Sequence, residues 1–123
     1  MLSKKKTSLP KFLLRIEGAF VLVLSLFLYN GLNKSWIFFF VLLLAPDISM
    51  IGYLKDAKFG SLLYNIFHTY TWPIILALIG IYSNNILSIQ LSLIWLAHIG
   101  MDRTLGYGLK YPTKFKDTHF NRV

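Results

Sequence analysis

Four long apolar segments, separated by short polar connections, limit what this chain of 123 residues can fold into. The two most apolar runs, residues 19–29 and 36–45, contain no charged residue and are apolar on every side rather than along one stripe. Helices of that kind are surrounded by lipid, and the short connections leave no stretch for a separate soluble domain. We therefore expect a single all-α domain over residues 1–123, a four-span transmembrane helical bundle. A water-soluble four-helix bundle is the less favoured alternative.

The predicted spans cover residues 12–29, 35–54, 62–82 and 86–101. Residues 103–123 form a basic tail that is too charged to cross a bilayer and is expected at the membrane surface. A kink is expected near Pro46, because proline has no backbone N–H. The chain has no cysteine, which excludes disulfides and thiolate metal ligands.

The distribution of Lys and Arg predicts the orientation. If the N-terminus lies inside, 12 of the 13 Lys and Arg residues lie on the inner side and only Lys34 lies outside. Because cytoplasmic flanks carry the excess of positive charge, we expect a multi-pass protein of the cytoplasmic membrane with both termini in the cytoplasm. Its net charge of +8 would then face anionic lipid head groups rather than nucleic acid. Nothing in the pattern indicates an oligomeric state.

Ionisable side chains recur near the inner end of every predicted span. They are Glu17, Asp47, His68, His98 and Asp102. At about 1.5 Å per residue, all five would fall within roughly 10 Å of the cytoplasmic boundary. Ionisable groups at membrane depth are costly and normally face the bundle interior or a wet cavity, so each of them is a candidate functional residue.

Two helical patterns orient these groups. His98 and Asp102 are four residues apart and would point the same way on a helix. The third span carries a polar stripe at spacings of three and four, which includes Tyr64 and His68 and should face the other spans. The alternative is structural, because such polar residues also join membrane helices by hydrogen bonds.

Imidazole and carboxylate groups are usual ligands of Zn²⁺ and Mn²⁺. We therefore predict a cytoplasm-facing polar site that holds one divalent metal ion. The predicted metal ligands are Asp47, His68, His98 and Asp102. The candidate polar site also includes Glu17, Tyr64, Asn65 and Arg103. The alternatives are that Glu17 only interacts favourably with the positive end of the first helix, that Asp102 pairs with Arg103 in the head-group region, and that His98 with Asp102 is a structural pair.

Motifs along the chain resemble those of a known family. They are Pro46-Asp47, then Tyr64-Asn-x-x-His68 with Pro73, then Ala97-His-x-x-x-Asp-Arg-x-x-Gly-Tyr-Gly-Leu-Lys-Tyr111, and Thr118-His119. Together they resemble the domain of unknown function 4260 family over nearly the whole chain, and the tail motif is the most specific. The resemblance implies a small bacterial integral membrane protein and assigns no activity.

A weaker resemblance bears on the chemistry. Inner-membrane metal-dependent hydrolase-like proteins have a Pro-Asp-x-Asp motif, a His-Arg-Gly-x-Thr-His motif and a later His-x-x-x-Asp motif. The residues in the same order here are Pro46-Asp47, His68, and His98 with Asp102. Ser49 stands where the second aspartate would be and Pro73 where the second histidine would be. The resemblance thus implies a one-metal site or a metal-free remnant rather than a full centre.

Two functions remain open from the sequence. One is metal-assisted hydrolysis of a phosphoester or lipid-derived substrate, in which the metal activates a bound water and the basic tail attracts the anionic group. The other is a non-catalytic membrane protein, such as a transporter subunit or a lipid- or protein-binding bundle.

Overall fold

A computed structural model describes residues 9–107, and all the regular structure among them is helical. The elements in chain order are α1 (Leu9–Gly31), α2 (Trp36–Leu42), a 3-10 helix (Ala45–Leu54), α3 (Ala57–Phe67), α4 (Thr71–Ser83) and α5 (Ile86–Leu105). The predicted all-α class is confirmed. The N-terminal lysines at positions 4–6 and residues 108–123 of the predicted basic tail lie outside the described residues.

Three helical segments are long and apolar enough to cross a membrane. They are Leu9–Gly31 with 23 residues, Trp36–Leu54 with 19 and Ala57–Ser83 with 27. The fourth predicted span is also a helix, since α5 has 20 residues and is therefore about 30 Å long. α5 is less apolar than the other three segments because it carries Gln90, His98, Asp102 and Arg103. The side chains of His98 and Arg103 are buried and thus face other helices.

The predicted interruption near Pro46 is present. α2 ends at Leu42, and the 3-10 helix begins at Ala45 with the proline in its first turn, where the missing N–H removes no helical hydrogen bond. The amide of Asp47 donates to the carbonyl of Leu44, with an N···O distance of 3.0 Å. A 3-10 stretch within a longer helical segment often marks a functional position, and here it carries Asp47.

The third segment is broken between Phe67 and Thr71, whereas the sequence predicted one continuous span. α3 also begins five residues before the predicted start, because Asp56 caps it by accepting the amide of Phe59 at 2.6 Å. Pro73 lies in the first turn of α4, where its missing N–H is tolerated. The break therefore lies just before the turn that contains the proline.

Side chains of α5 satisfy the carbonyls that this break leaves free. Trp95 Nε1 donates to the carbonyl of Phe67 at 2.6 Å, and an Arg103 guanidinium nitrogen donates to the carbonyl of His68 at 2.9 Å. Unpaired backbone groups are costly at membrane depth. The two hydrogen bonds therefore stabilise the break and tie it to α5.

α5 packs against α1 at a contact between two glycines. A Cβ atom on Gly100 would lie 2.7 Å from the carbonyl oxygen of Gly18 and 2.8 Å from the amide nitrogen of Leu22. Small residues allow helix backbones to approach this closely in membrane proteins. Nearer the other end of α5, the buried apolar core consists of Tyr29, Phe39, Leu93, Ile94 and Ala97.

Candidate metal centre

Four titratable side chains from three parts of the fold converge at one point. Asp47 comes from the first turn of the 3-10 helix, and His68 from the break after α3. His98 and Asp102 lie one turn apart on α5. One donor atom from each residue lies within 4.8 Å of the donor atoms of the other three. The structure therefore brings together the four residues that the sequence predicted as metal ligands.

The separations of the donor atoms match those of ligands that share one ion. His68 Nε2 lies 3.1 Å from His98 Nε2, and the two nitrogens lie 3.2 and 3.1 Å from Asp47 Oδ1. Asp102 Oδ2 lies 3.5 Å from the His68 nitrogen and 3.2 Å from the His98 nitrogen. Ligands bound at about 2.1 Å in a tetrahedron lie roughly 3.4 Å apart. These side chains thus need little rearrangement to bind a common centre.

The orientation of His68 is set by Tyr64, one turn earlier on α3. His68 Nδ1 lies 2.8 Å from the Tyr64 carbonyl oxygen, and a carbonyl can only accept, so Nδ1 carries the hydrogen. The two rings also stack, with centroids 3.7 Å apart and planes 4° apart. In the neutral ring, Nε2 therefore presents its lone pair to the cluster. A metal-binding histidine commonly donates its other nitrogen to a backbone carbonyl in this way.

His98 is held by burial on α5. Its side chain is 0% exposed, and its ring meets that of His68 edge to face, with centroids 5.0 Å apart. Its Nδ1 atom makes no hydrogen bond of good geometry within residues 9–107, although the backbone carbonyl of Leu43 is close enough to interact with the imidazole. The Nε2 atom of this ring faces the cluster, as it does in His68.

The two carboxylates differ in their access to solvent. The Asp47 side chain is 32% exposed and the Asp102 side chain is 13% exposed, whereas both histidine side chains are almost fully buried. The open side of the cluster is therefore the side of Asp47. A water molecule or a ligand reaches the donor atoms most directly from there.

Arg103 lies beside the cluster rather than within it. The residue is 8% exposed, donates to the carbonyl of His68, and has its Cζ atom 5.4 Å from the centre of the Tyr70 ring. Asn65, another predicted member of the polar site, accepts the amide of His68 and the hydroxyl of Thr69 with its backbone carbonyl. Both residues thus support the helix break that presents His68.

Glu17 does not join the four donors. Its side chain is exposed on α1, whereas the next residue, Gly18, is buried against α5. Successive residues of an α-helix point about 100° apart, so the close contact at Gly18 turns Glu17 away from the interior. The prediction that Glu17 shares the depth of the others did not include this rotation about the helix axis.

Two positions singled out by the weaker resemblance provide no donor atom to the cluster. Ser49 is buried on the 3-10 helix, and its hydroxyl has no hydrogen-bond partner within residues 9–107. Pro73 is buried in the first turn of α4. The four described donors lie within 4.8 Å of one another, so the cluster has the size of a site for one ion rather than two.

Trp95 was missed at the sequence level, although it helps to hold the site. Its indole N–H satisfies the carbonyl of Phe67, the residue before His68. A signal was present, because Trp95 lies three residues before His98 on one helix face, and an indole N–H at membrane depth needs an acceptor. The acceptor arises only from the break in the third segment.

The fold and the cluster together define a class: an all-helical protein with three segments able to cross a membrane and a buried His and Asp centre between its helices. The chain belongs to the family described as domain of unknown function (DUF4260), whose family model matches residues 11–123. The resemblance seen in the sequence is thereby confirmed, and the match includes all four donors. No curated protein and no solved structure matches the chain.

Proposed function

We propose that this protein is an integral membrane protein that binds one divalent metal ion, zinc or manganese, and hydrolyses a phosphoester bond in a lipid-derived substrate. The proposed ligands are Asp47, His68, His98 and Asp102. The observation that supports the proposal is the convergence of two imidazole nitrogens and two carboxylate oxygens on one point. Imidazole and carboxylate are usual ligands of these ions.

Hydrogen bonds among the four side chains cannot pair all of their donor atoms well. The Nε2 atom of His68 is close to three atoms at once, from His98, Asp47 and Asp102. A proton on that nitrogen can be directed at only one of them. If both rings were protonated at Nε2, two N–H groups would face each other at 3.1 Å. One divalent cation interacts with all four donors and offsets the charge of the two carboxylates.

The proposed chemistry uses the open side of the cluster. Four protein ligands would complete the shell of a zinc ion, so hydrolysis would need an ion that takes more than four ligands, as manganese does. Held by these four residues, that ion would supply the acidity that activates a water molecule. The oxygen of the water forms a bond to phosphorus, the bond from phosphorus to the alcohol oxygen breaks, and the alcohol leaves with a proton. Asp47, the more exposed carboxylate, would bind the ion through Oδ1 and accept the proton released by the water on its other oxygen.

The proposal includes a location. We place the protein in the cytoplasmic membrane with both ends in the cytoplasm, and its partners there are anionic lipids at the inner face. The support is the distribution of Lys and Arg, together with three segments long and apolar enough to cross a membrane. In that orientation the four donors lie nearer the cytoplasmic ends of their segments than the outer ends, and the cytoplasm supplies the water.

Metal analysis of the purified protein tests the binding step. We expect about one equivalent of zinc or manganese after purification in detergent without chelator. Alanine at any one of the four ligand positions should lower the metal content strongly, because the loss of one ligand leaves the ion too few donors to hold it. Glu17→Ala is the matched control, since it removes an exposed carboxylate on α1 and should leave the metal content unchanged.

Hydrolysis is tested on the same preparations. A phosphodiester substrate should be cleaved by the metal-loaded protein, not by the chelator-treated protein, and again after the metal is restored. The proposal fails if the protein binds no stoichiometric metal under any of these conditions and also tolerates Asp102→Asn and His98→Gln without a change in stability.

The competing function is a non-catalytic membrane protein, such as a transporter subunit or a lipid- or protein-binding bundle. The observation that favours it is the contact between His98 Nε2 and Asp102 Oδ2 at 3.2 Å, which also fits a structural pair within α5. In that case Asp102→Asn, which keeps an acceptor, should cost only about 0.2–0.5 kcal/mol, the typical worth of an i, i+4 pair on one helix. The metal content of the wild-type protein would then be negligible.

A further inference from the structure

An apolar cavity is lined by residues that lie close in the chain to three of the four donors. It has a volume of about 250 Å³, and its wall includes Leu42, Pro46, Phe67, Leu76, Ile94 and Trp95. The one polar atom of the Trp95 side chain is already bonded to the carbonyl of Phe67. The cavity therefore presents almost entirely hydrocarbon to an occupant.

Three of the four proposed ligands lie close in sequence to residues of the cavity wall. Pro46 immediately precedes Asp47, and Phe67 immediately precedes His68. Ile94 lies one turn before His98 on the same face of α5. The wall of the cavity and the proposed metal site are thus formed by the same short stretches of chain.

Along the direction of the spans, the cavity lies on the side of the ligands that is toward the middle of the membrane. The second and third segments meet across their turn at Gly52 and Gly60, and the third and fourth meet at Gly80 and Ser88, so successive segments run in opposite directions. Residues that precede Asp47 and His98 therefore lie on the same side as residues that follow His68. Leu42 precedes Asp47 by five residues, Ile94 precedes His98 by four and Leu76 follows His68 by eight. At about 1.5 Å per residue, these wall residues lie roughly 6–12 Å from the ligands, toward the middle of the spans.

This arrangement has the polarity of a membrane lipid: a polar centre at one level and an apolar space further into the membrane. We infer that the cavity binds an acyl chain of the substrate while the phosphodiester of the same molecule lies at the four donors. The inference rests on the proposed function and deepens it, since it makes the substrate a glycerophospholipid rather than a water-soluble phosphoester. The cavity holds only part of a chain, and the remainder extends through its open side into the surrounding lipid.

The step is a hydrolysis that needs no reactant besides water. The water oxygen bonds to phosphorus, one ester bond from phosphorus to oxygen breaks, and the alcohol that leaves carries a proton away. The cavity residues take no part in these bonds. They hold the acyl chain, so their substitution should affect lipid substrates and not small soluble ones.

A matched pair of variants on α4 tests the inference. Leu76 lines the cavity, and Leu76→Trp would fill part of it. Leu78 is 62% exposed two residues further along the same helix, and Leu78→Trp adds the same bulk outside the cavity. We expect Leu76→Trp to lower hydrolysis of phosphatidylglycerol in mixed micelles at least tenfold, while hydrolysis of bis(p-nitrophenyl) phosphate and the metal content stay within twofold. Leu78→Trp should leave all three unchanged.

Photolabelling provides a readout that does not depend on turnover. Phosphatidylglycerol with a diazirine in one acyl chain should label residues of the cavity wall in the wild-type protein, identified by peptide mass spectrometry. The label should persist in chelator-treated protein and be lost in Leu76→Trp. Ala45→Leu, at a second wall position, should also lower the labelling if Leu76→Trp does not fold.

The outcomes separate this inference from the proposed function. Labelling of the cavity without hydrolysis of either substrate would overturn the proposed function and uphold the acyl-chain site. Hydrolysis of both substrates, with equal effects of Leu76→Trp and Leu78→Trp, would overturn the acyl-chain site and uphold the hydrolase. Labelling confined to exposed positions such as Leu78, or crosslinks between two copies of the chain at the cavity wall, would also overturn it.

Discussion

The contact between α1 and α5 should not tolerate a single added methyl group at Gly100. In Gly100→Ala, the new Cβ atom would lie 2.7 Å from the carbonyl oxygen of Gly18 and 2.8 Å from the amide nitrogen of Leu22. Both neighbours are backbone atoms and cannot rotate away. An ordinary contact begins near 3.4 Å, so α1 would have to retreat by about 0.7 Å.

A displacement of this size has a calculable cost. A radial gap of 0.5–1 Å removes about a quarter to a half of the dispersion attraction of the atoms it separates. Overpacking by one methyl group in a well-packed interior typically costs about 1–3 kcal/mol. We therefore expect Gly100→Ala to lower the free energy of unfolding by about 1–3 kcal/mol. His98 and Asp102 lie two residues to either side, so affinity for the proposed metal should fall as well.

Reversible unfolding in mixed micelles with increasing SDS, followed by tryptophan fluorescence or circular dichroism, measures the stability. Gly31→Ala is the matched control, because a Cβ at Gly31 meets no atom within 4 Å. That variant should remain within about 0.5 kcal/mol of the wild type. If Gly100→Ala proves as stable as Gly31→Ala, the two backbones do not meet at Gly100, and the account of how α5 is positioned is wrong.

Three further predictions test other parts of the fold. Trp95→Phe keeps the ring but leaves the carbonyl of Phe67 without its donor, so we expect a loss of about 1–2 kcal/mol in the same unfolding assay and a weaker metal affinity; an unchanged stability would show that the indole hydrogen bond is dispensable. Asp56→Ala removes the cap of α3 and should cost about 1 kcal/mol, whereas Lys58→Ala in the same turn should cost less than about 0.5 kcal/mol; equal effects would argue against capping. Reporter fusions after Lys58 and after the C-terminal residue should report the cytoplasm, and one after Asn84 the outside; a C-terminus outside would overturn the predicted orientation.

Local features of the sequence were sufficient for most of the helical architecture. The lengths of the apolar runs predicted four helical segments, and Pro46 predicted the interruption of the second, because a missing backbone N–H acts wherever the residue stands. The break after Phe67 was not predicted. It is stabilised by side chains of α5, about 30 residues further along the chain. The residues around the break do not indicate which distant side chains will donate to its carbonyls.

The candidate site was predicted from the depth of its residues in the membrane. Counting residues from the ends of the spans placed Asp47, His68, His98 and Asp102 at one level, and the structure brings those four together. The same count also included Glu17, which is exposed. Depth along a helix follows from residue number, whereas the direction of a side chain also depends on the rotation of its helix.

The sequence by itself determined the helical class, the lengths of the segments and the set of residue types available to a polar centre. Only the tertiary structure decided which of those residues meet. Apolarity and chain length act on each helix separately, but the rotation of α1 and the 3.1–3.5 Å spacing at the cluster depend on how the backbones pack. That packing is set by the contact of Gly18 with Gly100 and by the hydrogen bonds across the helix break, which join residues far apart in the chain.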